Sequence, residues 1–234
     1  MNRGMNRRTM HNGADAARRL LTRYLGPEAA TRLAARARDD CGDSCGDERP
    51  LFALFADVRH SSGLAEVLDL AGLRRFLGDF MGLAVREVEG RGGMVNKFLG
   101  DGVLALFAED QAVSAAEAAL ALRQDFPALL TGPGRDHPAF GALDLALGIS
   151  FGRVFLGEVG AAGRFDFTAI GQAVNVAERL AAEAPGSGVR LCGAAWKRLA
   201  AADSAGRFAA SGPDMTRLRG MNRETAVHRL TWSV

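Results

Sequence analysis

Apolar positions along this chain follow two periods, and the switches between them mark its elements. From Ala16 to about Ala37 the spacing is helical, with Leu20, Leu21, Tyr24 and Leu25 on one side and arginines on the other. Gly26-Pro27 cuts this stretch into two helices, Pro27 suiting the first turn of the second. Residues 1 to about 14 are polar and arginine-rich and are expected to be disordered; Asp39 to Pro50 reads as a linker. Leu51 to Val58 is a nearly continuous apolar run, predicting a buried strand that ends at a carboxylate, Asp57. Past Arg59-His60-Ser61-Ser62, a long helical stripe runs through Leu64, Val67, Leu68, Leu73, Phe76, Leu77, Phe80 and Met81, and Gly90 to Gly93 stops it. Two strand-type runs then flank Gly100-Asp101-Gly102, predicting a hairpin over Met94–Phe107 whose second strand is an inner one.

Further on, an alanine-rich helix is expected from about Gln111 to Phe126, and a proline-containing loop leads to a strand at Leu143–Phe151. A glycine-studded hairpin, Gly152 to Gly163, precedes a strand near Phe165–Ala169. Gly171 opens a helix from Gln172 to about Ala182, stopped by Pro185-Gly186. Strand Val189–Cys192, a helix near Ala194–Ala201 and strands at Thr216–Leu218 and Ala226–Trp232 close the chain. This order predicts an α+β protein with a ferredoxin-like βαββαβ antiparallel sheet, helices on one face and C-terminal extensions. Residues 1–48 form an arginine-rich helical extension with its linker, and 49–234 the main domain.

Composition narrows the function classes. The 234 residues are 48% hydrophobic, ample for one sizeable core, and the net charge of +2 gives no global reason to expect nucleic-acid or membrane binding. No apolar run reaches membrane-spanning length and no signal-peptide pattern is visible, so a cytoplasmic location is expected. Cys41, Cys45 and Cys192 do not make a disulfide framework, and the first two read as linker thiols. Lys97 and Lys197 are the only lysines among many arginines, which suggests that position 97 wants a compact ammonium.

The chemistry sits in three segments: Phe-Ala-Asp-Val-Arg at 55–59, Lys-Phe-Leu-Gly-Asp-Gly-Val-Leu-Ala at 97–105, and Asp-Phe-Thr-Ala-Ile-Gly-x-x-Val-Asn-x-Ala-x-Arg-Leu at 166–180. Asn175 and Arg179 are four apart and so share a helix face. With the weaker Leu-Arg-Gly at 218–220, these segments resemble the class III nucleotidyl cyclase catalytic domain, from about Leu51 to the C-terminus. The resemblance implies an adenylate cyclase: the ribose 3′-hydroxyl of ATP attacks the α-phosphate, giving cyclic AMP and pyrophosphate. It assigns two divalent ions, Mg or Mn, to Asp57 and Asp101, because hard cations take carboxylate oxygens. It assigns ribose positioning to Asn175, transition-state charge to Arg179 and the terminal phosphates to Arg219. The loop Val58, Arg59, His60, Ser61 and Ser62 would offer backbone N–H groups and a helix dipole to the triphosphate.

Base choice falls to Lys97 and Thr168, the latter seven residues before Asn175. An ammonium can donate to adenine N1 and a hydroxyl can accept from its amine, whereas guanine-specific members carry Glu and usually Cys or Ser. The family builds each site from two protomers, so one chain carrying both halves implies a symmetric homodimer, inactive as a monomer. His60 stands where the family has Gly, and Gln172 where Asp is frequent. Other readings are a cyclase of different base preference and a non-catalytic nucleotide-binding dimerisation module. A diguanylate cyclase would need a Gly-Gly-Asp/Glu-Glu-Phe signature, which Leu-Gly-Asp-Gly-Val is not.

Overall fold

The computed structural model describes residues 5–36, 46–161, 163–183 and 188–233. The elements run α1 (Met5–Leu25), α2 (Pro27–Arg36), β1 (Gly46–Arg59), α3 (Ser62–Val67), α4 (Leu70–Glu89), β2 (Met94–Leu99), β3 (Gly102–Ala108) and α5 (Ala112–Asp125). They continue as β4 (Asp144–Ala161), β5 (Arg164–Ile170), α6 (Gln172–Glu183), β6 (Gly188–Cys192), α7 (Gly193–Ala202), β7 (Phe208–Thr216) and β8 (Thr225–Trp232). Strands lie in the order β2-β3-β1-β4-β6-β8-β7, with β5 paired to β4. Its first four members give the ferredoxin-like order, and the remainder extends it past β4, as expected for α+β.

The chain divides into two compact units, Met1–Asp47 with Leu156–Thr168, and Glu48–Phe155 with Ala169–Val234. In the first, Gly26 takes a positive φ of 81° between α1 and α2, so the Gly-Pro break is real. Arg32 there donates to Glu28 at 3.1 Å, and it also bonds Asp47. Helix α1 starts at Met5, where disorder was expected to run to about 14. Helix formation there needs no apolar face of its own, because the segment continues a helix into an Ala- and Arg-rich sequence of good propensity. Cys41 and Cys45 lie outside the described residues, as does most of the linker, and Cys192 is buried with a free thiol.

In the second unit, alternation along β1 buries Phe52, Leu54, Ala56 and Val58 in the main core with Phe76, Phe80, Phe107, Leu145 and Leu147. Phe76 meets Phe140 edge-on at 5.8 Å and Phe80 meets Phe126 at 6.0 Å. The same alternation turns Ala53, Phe55 and Asp57 to the opposite face of the sheet. Helix α6 lies on that face, opposite the core side where α4 packs, so the helices are not, as expected, all on one face. A Cβ at Gly148 would sit 2.1 Å from the Ala177 carbonyl oxygen, so glycine is what admits the helix. Ser150, two residues on, hydrogen-bonds the Ala173 carbonyl. The α6 side that meets the sheet is Ala173, Val176, Ala177, Leu180 and Ala181, small enough for close approach.

Some boundaries differ from expectation for local reasons. The long stripe from Leu64 is two helices, because the Asp69 side chain caps α4 by accepting from the Gly72 N–H at 2.7 Å. β4 runs on through the glycines to Ala161, since Val154 and Leu156 keep the alternation and bury completely. β7 is Phe208–Thr216, upstream of the expected Thr216–Leu218, and it pairs with β8 across a register shift between Ser211 and Asp214. Among the described residues no helix is long and apolar enough to cross a membrane.

Candidate active site

Asp57 and Asp101 meet because two backbone devices bring them together. Asp57 is paired in register with Gly102, the first residue of β3, so the two-residue turn Gly100-Asp101 hangs directly beside it. Gly100 has a φ of 67°, which makes so tight a turn possible, and the Val58 N–H donates to the Asp101 carbonyl at 3.3 Å. At Gly102 a Cβ would lie 3.2 Å from Asp57 Oδ1 and 3.3 Å from the Phe55 ring, so the missing side chain keeps the carboxylate's surroundings open. Ser61 Oγ donates to Asp101 Oδ2 and fixes that carboxylate in turn.

The electrostatics fit a cation site. Burial first, then repulsion from Asp101, push the Asp57 carboxyl up from 3.8 to about 6; Arg59 pulls the other way, and Glu178 of α6 adds to the rise. A half-exposed carboxylate, Asp57, whose charge is disfavoured by burial and by its neighbour is what a hard divalent ion relieves. No third His, Cys, Asp or Glu joins them to form a ligand group among the described residues. That donor set suits an ion that takes most of its remaining oxygens from water and a phosphate substrate.

The loop after β1 has an unusual backbone. His60 has a φ of 64°, the sole positive value outside glycine among the described residues, and its side chain is exposed. The left-handed conformation costs an L-residue roughly 1–2 kcal/mol, which explains why glycine is the natural occupant. His60→Gly is therefore expected to stabilise the protein by about 0.5–1 kcal/mol, read as a higher denaturant midpoint at unchanged slope. An unchanged or lower midpoint would mean that the imidazole makes compensating contacts. Ser61 and Ser62 open the short helix α3 without a side-chain cap, Ser61 being engaged with Asp101 instead.

Arg59 points away from that loop. Its Nη2 donates to the Ala181 and Ala182 carbonyls at 2.8 and 2.9 Å, in the last turn of α6. Its Nε is buried with no hydrogen-bond partner among the described residues. Asn175 is exposed on α6, and Arg179, one turn along, is 38% exposed with Glu178 3.8 Å away. Neither pairs with Asp57 or Asp101 within the protomer among the described residues. Arg219 is exposed, and its backbone N–H donates to Glu183 Oε1 at 2.6 Å, tying the β7–β8 connection to the end of α6.

Lys97 is half-buried on β2, just past a bulge: Val95 opposes Ala105 and Lys97 opposes Leu104, leaving Asn96 as the extra residue. A bulge re-aims the side chains that follow it. Both amide atoms of Asn96 are buried and without a hydrogen-bond partner among the described residues. Thr168 is half-buried on β5, in the first unit, beside buried Ala169. Sequence reasoning did not single out Glu178, Asn96 or the α6 contact of Arg59; only the polar residue inside a strand run at 96 left a visible signal.

Compared with models of known families, the chain matches none. An adenylate cyclase from Anabaena cylindrica is 31% identical over 164 residues, 68% of this chain and 32% of that protein. The crystal structure of the adenylyl cyclase CyaB from P. aeruginosa superposes with a TM-score of 0.70 at 22% identity, covering 81% of this chain and 97% of that one. The guanylyl cyclase Cya2 does so with a TM-score of 0.61 at 23% identity, covering 79% and 93%. The chain spans about a third of the length of the curated relatives it matches. With the ferredoxin-like sheet and its extension in the order found, the chain belongs to the class III nucleotidyl cyclase catalytic-domain family.

Proposed function

We propose that the protein is an adenylate cyclase, converting ATP to cyclic AMP and pyrophosphate at two sites shared across a homodimer. One observation carries this reading. A carboxylate pair, Asp57 and Asp101, stands ready for cations, while the exposed amide and guanidinium of Asn175 and Arg179 meet neither carboxylate within the protomer. Each half is incomplete alone, and a head-to-tail pairing of two copies would complete both.

Divalent ions held by Asp57 and Asp101 would lower the pKa of the ribose 3′-hydroxyl and offset the phosphate charge. The chain's own groups do the rest. Asp101 is oriented by Ser61, and the loop N–H groups after Val58, whose own N–H is held by the Asp101 carbonyl, would meet the triphosphate. Asn175 fixes the ribose so that O3′ lines up with the α-phosphorus. The 3′-hydroxyl gives its proton to water, the O3′–Pα bond forms, the bond from Pα to the bridging oxygen breaks, and pyrophosphate leaves with that oxygen. Arg179 meets the charge that develops on the α-phosphoryl oxygens, and Arg219 would hold the terminal phosphates. Asp57, Asp101, Asn175 and Arg179 sit on a strand end, a tight turn and a helix, so little reorganisation of them is needed at reaction.

Adenine selection rests on Lys97 donating to N1 and Thr168 accepting from the exocyclic amine. The bulge at Asn96 supports the role of Lys97, because it sets that side chain's direction independently of the strand's regular alternation. The test is incubation with Mn and each nucleoside triphosphate in turn, with products identified by mass spectrometry. Cyclic AMP with pyrophosphate is expected; cyclic GMP as the main product would favour the alternative base preference. A Lys97→Glu, Thr168→Cys double substitution is expected to shift the ATP-to-GTP ratio of kcat/KM by about tenfold or more. Unchanged selectivity would remove this pair from base reading.

A further inference from the structure

Helix α6 is fixed to the sheet at three places, and the three are not alike. Near its start Ser150 bonds the Ala173 carbonyl, and in its middle Gly148 admits the backbone at Ala177 and Ala181. At its end Arg59 donates to the carbonyls of Ala181 and Ala182. The last turn of a helix leaves carbonyls unpaired and carries partial negative charge, which favours a cation there. α6 has no basic residue in its own last turn, and Glu183 adds a negative charge to it. The needed cation comes instead from β1, two residues past Asp57.

We propose that the Arg59 side chain is a positioning residue for the active site across the dimer. It holds the C-terminal half of α6 so that Asn175 and Arg179 reach the partner's metal and nucleotide, while Asp57 of the same chain serves the other site. This rests on the shared-site reading above. Arg179 lies two residues before the first clamped carbonyl, and Asn175 lies within two turns of it. A shift of about 1 Å in such groups can cost on the order of a hundredfold in rate.

The test uses mixed dimers with a single live site. One chain carries Asp57→Asn and lends its α6; the other carries Arg179→Ala and lends its carboxylates. Adding Arg59→Gln to the chain that lends α6 is expected to lower kcat about tenfold to a hundredfold with little change in KM for ATP. Arg59→Lys, which keeps the charge and can still reach carbonyls, is expected to recover much of that loss. The same Gln placed on the chain that lends carboxylates is expected to cost several-fold less. A loss confined to that second placement, with a raised KM, would overturn the proposal and assign Arg59 to phosphate binding at its own site.

A second readout does not depend on turnover. In the Arg59→Gln homodimer, amide hydrogen exchange over residues 176–183 should quicken while β1 and β3 stay protected. Unchanged exchange in α6 would overturn the clamp. If the unsubstituted one-site dimer makes no cyclic nucleotide, the shared-site reading fails, and the exchange result still decides whether Arg59 holds α6.

Discussion

Asp57→Asn is expected to reduce cyclic nucleotide formation by about a thousandfold or more, because it removes one of two carboxylates from the cation site. The same change should not weaken the metal-free protein. The folded Asp57 carboxyl titrates at about 6 against an ordinary value of 3.8, so between those values the native state holds a proton that the unfolded chain releases. A raised carboxyl pKa makes stability fall as pH rises through that window, and the cost persists at higher pH. Asparagine is neutral throughout and escapes it. In EDTA, the Asn variant should therefore match the parent near pH 4 and melt higher near pH 8. A lower melting temperature at pH 8 would show the carboxylate to be structural. Mn affinity of the parent should weaken as pH falls below about 6, since cation binding must displace that proton.

Arg179→Ala is expected to lower kcat by about a hundredfold to a thousandfold, the usual cost of losing one preorganised transition-state donor. KM for ATP should change far less, because a group that meets charge developing only during reaction contributes little to ground-state binding. Stability should move by no more than about 0.5 kcal/mol, since the side chain is partly exposed and its contact is a 3.8 Å surface pair with Glu178. Steady-state kinetics beside a denaturant titration separate these effects. A large rise in KM with kcat intact would instead make Arg179 a substrate-binding residue.

The sequence made the strand and turn that carry the carboxylates legible, because both are local. Leu51 to Val58 could only be a buried strand, and Gly100-Asp101-Gly102 between strand-type runs could only be a tight turn. That Asn175 and Arg179 share a face followed from helix periodicity alone. Which face of the sheet they occupy did not. α6 lies against the sheet because Gly148 and Ser150, on a different segment, accept its backbone, and no period within α6 encodes that. Likewise nothing in Phe-Ala-Asp-Val-Arg says that the arginine bonds carbonyls more than a hundred positions away.

The bulge at Asn96 was hidden for a related reason. A one-residue insertion shifts the register of β2 on β3, and in so short a strand its trace is a single polar residue at 96. The positive φ at His60 was half visible: the position resembled a glycine site, and the backbone there adopts a conformation that glycine favours. Helix α1 begins earlier than expected because a polar segment can still continue a helix, and β7 lies upstream of the expected Thr216–Leu218. Gly212 and Pro213 sit inside β7 at its register shift, where a sheet can tolerate them.

Mixing two inactive variants tests the shared site most directly. Asp57→Asn and Arg179→Ala homodimers, each silent alone, are combined under conditions that let subunits exchange, and cyclic AMP is measured against the parent protein. Half the dimers should be mixed, each with one intact site of two, so the mixture should regain about a quarter of the parent rate. A mixture as silent as its components, beside an active parent, would contradict a site divided between two copies.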